Sequence, residues 1–173
     1  MSRQVNFILQ QGLAAPAPAS CSSAYAGLRF QPWFVGLTTL IATAAQVFGQ
    51  TVASAAIFGV LGAVLWWSAA IPRFNPFDHL YNVLFSARSG FRLQAAPAPR
   101  RFAQFLAGAL SLVIAALLVL GHAVAAMIVA AVLLAAVAAL VFGGFCFGSY
   151  VFHVLTGRRA FANCTLPWSP PPA

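Results

Sequence analysis

Four stretches of this chain, residues 32–48, 52–71, 105–120 and 123–142, run without a single ionisable side chain. A hydrocarbon core about 30 Å thick is crossed by roughly 20 apolar residues in helical form, and backbone facing lipid must satisfy its own hydrogen bonds. Four such runs therefore constrain the chain to a helical membrane protein. Composition agrees: 62% of the 173 residues are hydrophobic and only 6% charged, with a mean hydropathy of +0.90, which excludes an ordinary soluble domain. The expected fold class is all-α integral membrane, with four transmembrane helices as two antiparallel hairpins in one domain over residues 32–155.

Punctuation sets the boundaries. Pro32 suits the first turn of the first span, with Trp33 in the interfacial belt. Gly49-Gln50-Thr51 is the only polar break before the second span, which ends in Trp66 and Trp67 ahead of Pro72-Arg73. Gly121-His122 forms the second tight turn. The fourth apolar pattern runs on from Ala123 to Leu155, more than a span requires. It predicts a tilt, a bend near Gly143-Gly144, or, as the preferred reading, a span over 123–142 with a helical extension to 155.

Nine basic residues, all arginine, face one acid, Asp78, for a net charge of +8. They lie only between and outside the apolar runs: Arg3 and Arg29 before the first, Arg73, Arg88, Arg92, Arg100 and Arg101 in the central loop, Arg158 and Arg159 after the fourth. That placement argues for topology signals and anionic-lipid contacts rather than nucleic acid. Both termini and the central loop are then expected on the cytoplasmic side, with the uncharged turns outward. Thr38, Thr39, Thr43, Gln46 and Ser54 are positioned to join the first two helices by hydrogen bonds.

Residues 1–31 divide into a short amphipathic segment and an Ala/Pro tether. Val5, Ile8, Leu9 and Leu13 share a helical face, with Arg3, Asn6, Gln10 and Gln11 largely elsewhere, which predicts an interfacial or partner-docking helix or else a frayed tail. Ala14 to Ser23 carries prolines that deny it regular helix. Pro18-Ala19-Ser20-Cys21 lacks the leucine and the preceding hydrophobic region of a lipoprotein cleavage site, so no cleaved signal is expected. Residues 156–173 are expected to be an extended tail whose Leu166 to Pro172 segment could lie on a partner surface.

The central loop holds the most information. Asn75 is placed to cap a helix that starts at Pro76, with Asp78 in its first turn. Phe77, Leu80, Tyr81, Leu84 and Phe85 repeat at helical spacing, which predicts an amphipathic helix lying on the membrane surface. Arg100-Arg101 stands at headgroup height before the third span and is expected to anchor it. Asp78 either serves only as a cap residue or also pairs with one of these arginines.

Asn75-Pro76-Phe77 with Leu80-Tyr81, Pro97-Ala98-Pro99-Arg100-Arg101-Phe102-Ala103, and Gly144-Phe145-Cys146 resemble the motifs of a bacterial membrane family, domain of unknown function 4395, over about Pro32 to Leu155. The resemblance implies a four-helix unit in the bacterial inner membrane and brings no activity with it. Some relatives end the last motif as a Cys-x-x-Cys pair, where this chain has Cys146-Phe147-Gly148-Ser149.

Chemistry has few candidates. Cys146 could serve a thiol-dependent redox or assembly function, but Ser149 removes its nearest partner and Cys21 and Cys164 are distant in sequence. Its plainer use is as a small apolar residue within Gly144-x-x-x-Gly148, whose glycines would let another helix approach. His79, His122 and His153 are candidate ligands for haem or a chlorophyll-type pigment, yet no two share a helix face. No metal site, paired carboxylate or phosphate loop is legible, and no small-molecule substrate is implied. The expected function is a non-catalytic accessory subunit of a larger membrane complex, respiratory or photosynthetic, that acts by helix packing. Its partners would be lipids and other membrane subunits. Asn75, Pro76, Phe77, Asp78, Tyr81, Arg100, Arg101, Gly144 and Gly148 are expected to make its contacts.

Overall fold

The structure, a computed structural model, describes residues 2–14 and 20–169. All regular structure among them is helical: α1 (Ser2–Gln10), α2 (Cys21–Val47), α3 (Thr51–Ala70), α4 (Pro76–Leu84), α5 (Ser86–Ser89), α6 (Ala98–Val119), α7 (Ala123–Val141), α8 (Phe147–Leu155) and α9 (Arg159–Cys164), with a 3-10 turn at Pro72–Phe74. The centre of the Ala/Pro tether, with Pro18-Ala19, and the prolines 170–172 of the tail lie outside the described residues.

Three helices, α3, α6 and α7, are long and apolar enough to cross a membrane by length and composition, as befits a membrane protein. The remaining expected span, residues 32–48, lies in the second half of α2. That helix begins at Cys21, so Pro32 stands in its interior and not in its first turn. Buried Cys21, Ala24, Leu28 and Gln31 form an inward stripe at helical spacing. Tertiary packing of that stripe holds a helix that an interior proline would otherwise break.

The closest packing is between α3 and α6. A Cβ on Gly62 would lie 2.7 Å from Leu112 and 3.0 Å from the Gly108 carbonyl, and one on Gly108 would lie 2.5 Å from Trp66. Small residues thus bring the two backbones together where dispersion between close-packed surfaces is the main attraction in an apolar solvent. On α2 and α3, Ser54 Oγ donates to Ala42 O at 2.8 Å, and Val35 packs with Leu61 and Leu65. The other polar residues expected to join these helices do not. Thr39 donates to Val35 O in its own helix at 2.7 Å, while Thr43 Oγ1 and Gln46 Oε1 have no partner among the described residues. A threonine hydroxyl reaches its own helix's i−4 carbonyl more readily than a neighbouring helix.

The last apolar pattern does not continue as one helix. α7 ends at Val141 and Gly144 adopts φ +63°, the left-handed conformation that terminates helices. Gly144 and Gly148 therefore never form one helical face: Gly144 lies in the break, and Gly148, in α8, sits against Ala103 of α6.

The first and last described helices, α1 and α9, pack onto the bundle. α1 is an ordered helix in which polar Asn6 and Gln10 are buried along with Phe7 and Ile8. Phe7 meets Tyr25 edge-on at 5.2 Å and joins Cys21, Ala24, Leu28, Tyr81 and Leu93 in one core cluster. The expected extended tail instead forms α9 and a turn, fastened by Asn6 Nδ2, which donates to Leu166 O at 3.0 Å and Ser169 O at 2.9 Å.

Candidate functional site

Where α2, α4 and α6 converge, five polar side chains leave water together: Gln31, Asn75, Asp78, Arg100 and Gln104 are each at most 6% exposed. Their positions follow from local sequence. Asn75 caps α4 by accepting from Phe77 N at 3.0 Å, and Pro76 opens the helix with its preset φ. The first turn then presents Asp78 inward, where Asn75 Nδ2 donates to its Oδ2 at 3.1 Å.

Arg100 approaches from the first turn of α6 and binds the Asp78 carboxylate with both terminal nitrogens, Nη1 to Oδ2 at 3.1 Å and Nη2 to Oδ1. Nη2 also donates to Gln31 Oε1 at 3.2 Å, which accepts from Gln104 Nε2 at 2.8 Å. Asp78 thus pairs with Arg100 and supports the cap only through the Asn75 side chain. The forked geometry suits guanidinium and carboxylate, and the extra hydrogen bonds compensate both ions for lost hydration. Three donors, one from Asn75 and two from Arg100, thus meet the two carboxylate oxygens. The work of Asp78 is to tie the loop helix α4 to α6 across 22 residues of chain.

The Arg-Arg pair therefore divides. Arg100 is turned into the protein, while exposed Arg101 donates from Nε to Ala69 O at 2.8 Å at the end of α3. α4 turns a polar-aromatic side toward the protein and leaves apolar residues outside. Asp78 and Tyr81 are its buried residues, Phe77 is half-buried, and Leu80, Leu84 and Phe85 remain exposed. Tyr81 packs against Phe30 at 5.5 Å, and its hydroxyl donates to Ser89 Oγ at 3.2 Å.

A second polar cluster joins α1 to the α7–α8 break. Arg3 donates to Gly143 O at 2.8 Å and to Phe142 O, satisfying carbonyls left open where α7 stops. Gln10 Oε1 accepts from Cys146 N at 2.9 Å, and His153 Nε2 donates to Gln10 O at 3.1 Å. That carbonyl can only accept, so Nε2 is the donor, and Nδ1 has no partner among the described residues. Ser149 Oγ donates to the buried Cys146 sulfur at 3.3 Å. Between the two clusters lies a cavity of about 80 Å³ bordered by Gln11, Gln31, Arg100, Gln104 and Cys146.

The three histidines occupy different surroundings. His153 is 2% exposed and flanked by the rings of Phe152 and Phe161, His79 lies exposed on α4, and His122 is exposed in the turn before α7. Among the described residues no group of three or more His, Cys, Asp or Glu is arranged to hold a metal ion. Cys21 is buried near Gln4, and Cys164 is exposed.

Gln31, Gln104, Gln10, Arg3 and Ser149 were not among the expected site residues. For Gln104 a signal existed, since it follows Arg100 by four positions and so shares its helical face. Gln31 and Gln10 had none, because their partners are 69 to 143 residues away in sequence.

Comparison with known proteins gives one match. A family model described as Domain of unknown function (DUF4395) covers residues 25–156, well over half the chain. No curated protein and no solved structure matches.

Proposed function

We propose that this chain, which belongs to the DUF4395 family, is a non-catalytic accessory subunit of a larger complex in the bacterial inner membrane, with both termini and the Asn75–Gln104 loop on the cytoplasmic side. Its four spans in this reading are α3, α6, α7 and residues 32–47 of α2, paired as two antiparallel hairpins. The uncharged three-residue turns at 48–50 and 120–122 support that pairing, as does the arginine found only toward the opposite ends of these helices.

The observation that carries the packing role is the poor envelopment of the most apolar helices. Within the chain, α6 and α7 bury only 28% and 22% of their most apolar windows. Surfaces of that kind are completed by lipid or by partner helices, which gain packing contacts there. The test is gentle detergent extraction from native membranes, followed by native sizing, identification of co-migrating proteins and an absorption spectrum. The expected result is a colourless band with a reproducible set of partners. A solitary monomer would refute the subunit reading, and a visible absorption band would favour a pigment-binding one.

One contact favours a second reading, a thiol-dependent redox or assembly factor. Ser149 stands where the Cys-x-x-Cys pattern of some relatives would have its second cysteine, and its Oγ is 3.3 Å from the Cys146 sulfur. Ser149→Cys is therefore expected to create a dithiol that closes under mild oxidation and reopens with reductant, read as the mass loss of two hydrogens and protection of both thiols from alkylation. Continued alkylation of both after oxidation would show that the two positions are misaligned for exchange. Full cellular function of Cys146→Ala would remove the redox reading altogether.

A further inference from the structure

The division of the Arg-Arg pair leaves one guanidinium in an unusual position. Arg101 Nε is fixed on Ala69 O, so the guanidinium spans the adjoining ends of α3 and α6, and no described residue accepts from its Nη1 or Nη2. Nor can an acidic side chain neutralise it, because the chain's only one, Asp78, is bound by Arg100. Beside it runs a groove of about 420 Å³ between α3 and α6, walled by Trp66, Ala69, Ala98, Phe102 and Phe105. Trp66 Nε1 donates to Phe105 O at 3.2 Å, and its indole stacks on the Phe105 ring at 5.3 Å and 10°, which makes the wall flat and rigid.

A pinned cation at the mouth of an apolar, aromatic-walled groove complements an amphiphile with an anionic head. We infer that this groove binds one anionic phospholipid, with its phosphate on Arg101 Nη1 and Nη2 and an acyl chain along Trp66 and Phe105. Trp66 stands in the last turns of α3, and tryptophan favours the bilayer interface at the ends of spans. The inference rests on the membrane reading proposed above and adds a specific lipid site to it.

The test is native mass spectrometry of the full chain released from micelles containing equal amounts of phosphatidylglycerol and phosphatidylcholine. The wild type is expected to retain a single phosphatidylglycerol in preference to phosphatidylcholine. Arg101→Gln should lower that preference roughly fivefold, Arg101→Lys should keep most of it, and Arg159→Gln, a change at another exposed arginine, should leave it intact. Ala70→Phe, which fills the groove without changing charge, should reduce retention of phosphatidylglycerol. Equal retention of the two lipids by the wild type, or unchanged preference in Arg101→Gln, would overturn the site. A chain that stays monodisperse in buffer without detergent would instead overturn the membrane reading beneath it.

Discussion

Arg100→Leu is expected to lower unfolding stability in micelles by about 3–5 kcal/mol, because it strands a buried carboxylate whose desolvation the guanidinium had offset. The Asp78 carboxylate would keep only Asn75 Nδ2, and Gln31 Oε1 would lose one of its two donors. The double variant Asp78→Leu/Arg100→Leu should recover a large part of the loss, since apolar residues of similar volume often replace a buried ion pair without penalty. Denaturant unfolding followed by tryptophan fluorescence measures all three. If Arg100→Leu unfolds within 0.5 kcal/mol of wild type, a value typical of neutral surface changes, the pair is not holding the loop helix in place. A double variant as unstable as the single one would mean that the ions themselves specify the α2–α4–α6 junction.

Gly148→Leu is the second large effect. A Cβ at this position would lie 2.7 Å from both Cα and Cβ of Ala103. Because the obstacle includes backbone, no rotamer relieves it, and α8 must move away from α6 at a cost of about 1–3 kcal/mol or more. Movement of α8 would also disturb the bond from Cys146 N to Gln10 and that from His153 to Gln10 O. Alkylation of the buried Cys146 should accelerate along with the loss of stability. Gly59→Ala is the matched control, for a Cβ there meets nothing within 4 Å, and it should be neutral or gain up to about 1 kcal/mol from helix propensity. Unchanged Cys146 reactivity in Gly148→Leu would show that the break between α7 and α8 absorbs the shift.

Several features of the candidate site were legible in the residues alone. Asn75-Pro76 specifies a helix start by local chemistry, and the cap and first-turn acid stand where that chemistry puts them. The resemblance to the family was likewise carried by short motifs and is borne out by the match over residues 25–156. Arg100-Arg101 misleads because adjacency in sequence suggests a shared role, whereas successive helical residues point about 100° apart. One arginine faces the core and the other the surface, and only the neighbours of α6 decide which.

The termini carry the same lesson. Val5, Ile8 and Leu9 lie in α1, as their spacing predicts, whereas Leu13 falls beyond its end, and amphipathicity cannot say that Asn6 and Gln10 are buried too. The partners of Asn6, Gln10 and Arg3 lie more than 130 residues further along the chain. Gly144-x-x-x-Gly148 is a comparable case. The small residue at 148 does mark a close approach, yet the left-handed φ at Gly144 divides the motif between a helix break and a new helix.

What the residues determined by themselves is whatever depends on local chain physics and solvent transfer: helices where long uncharged runs need internal hydrogen bonding, turns at glycine, and a capped start to α4. What only the tertiary structure decided is where each buried polar group finds its partner. Those partners come from segments far apart in sequence, and desolvation makes each pairing all-or-none, so no local pattern announces it. The four uncharged runs thus account for the apolar helices. The junction that organises them depends on Asp78 and Arg100 meeting Gln31 in space.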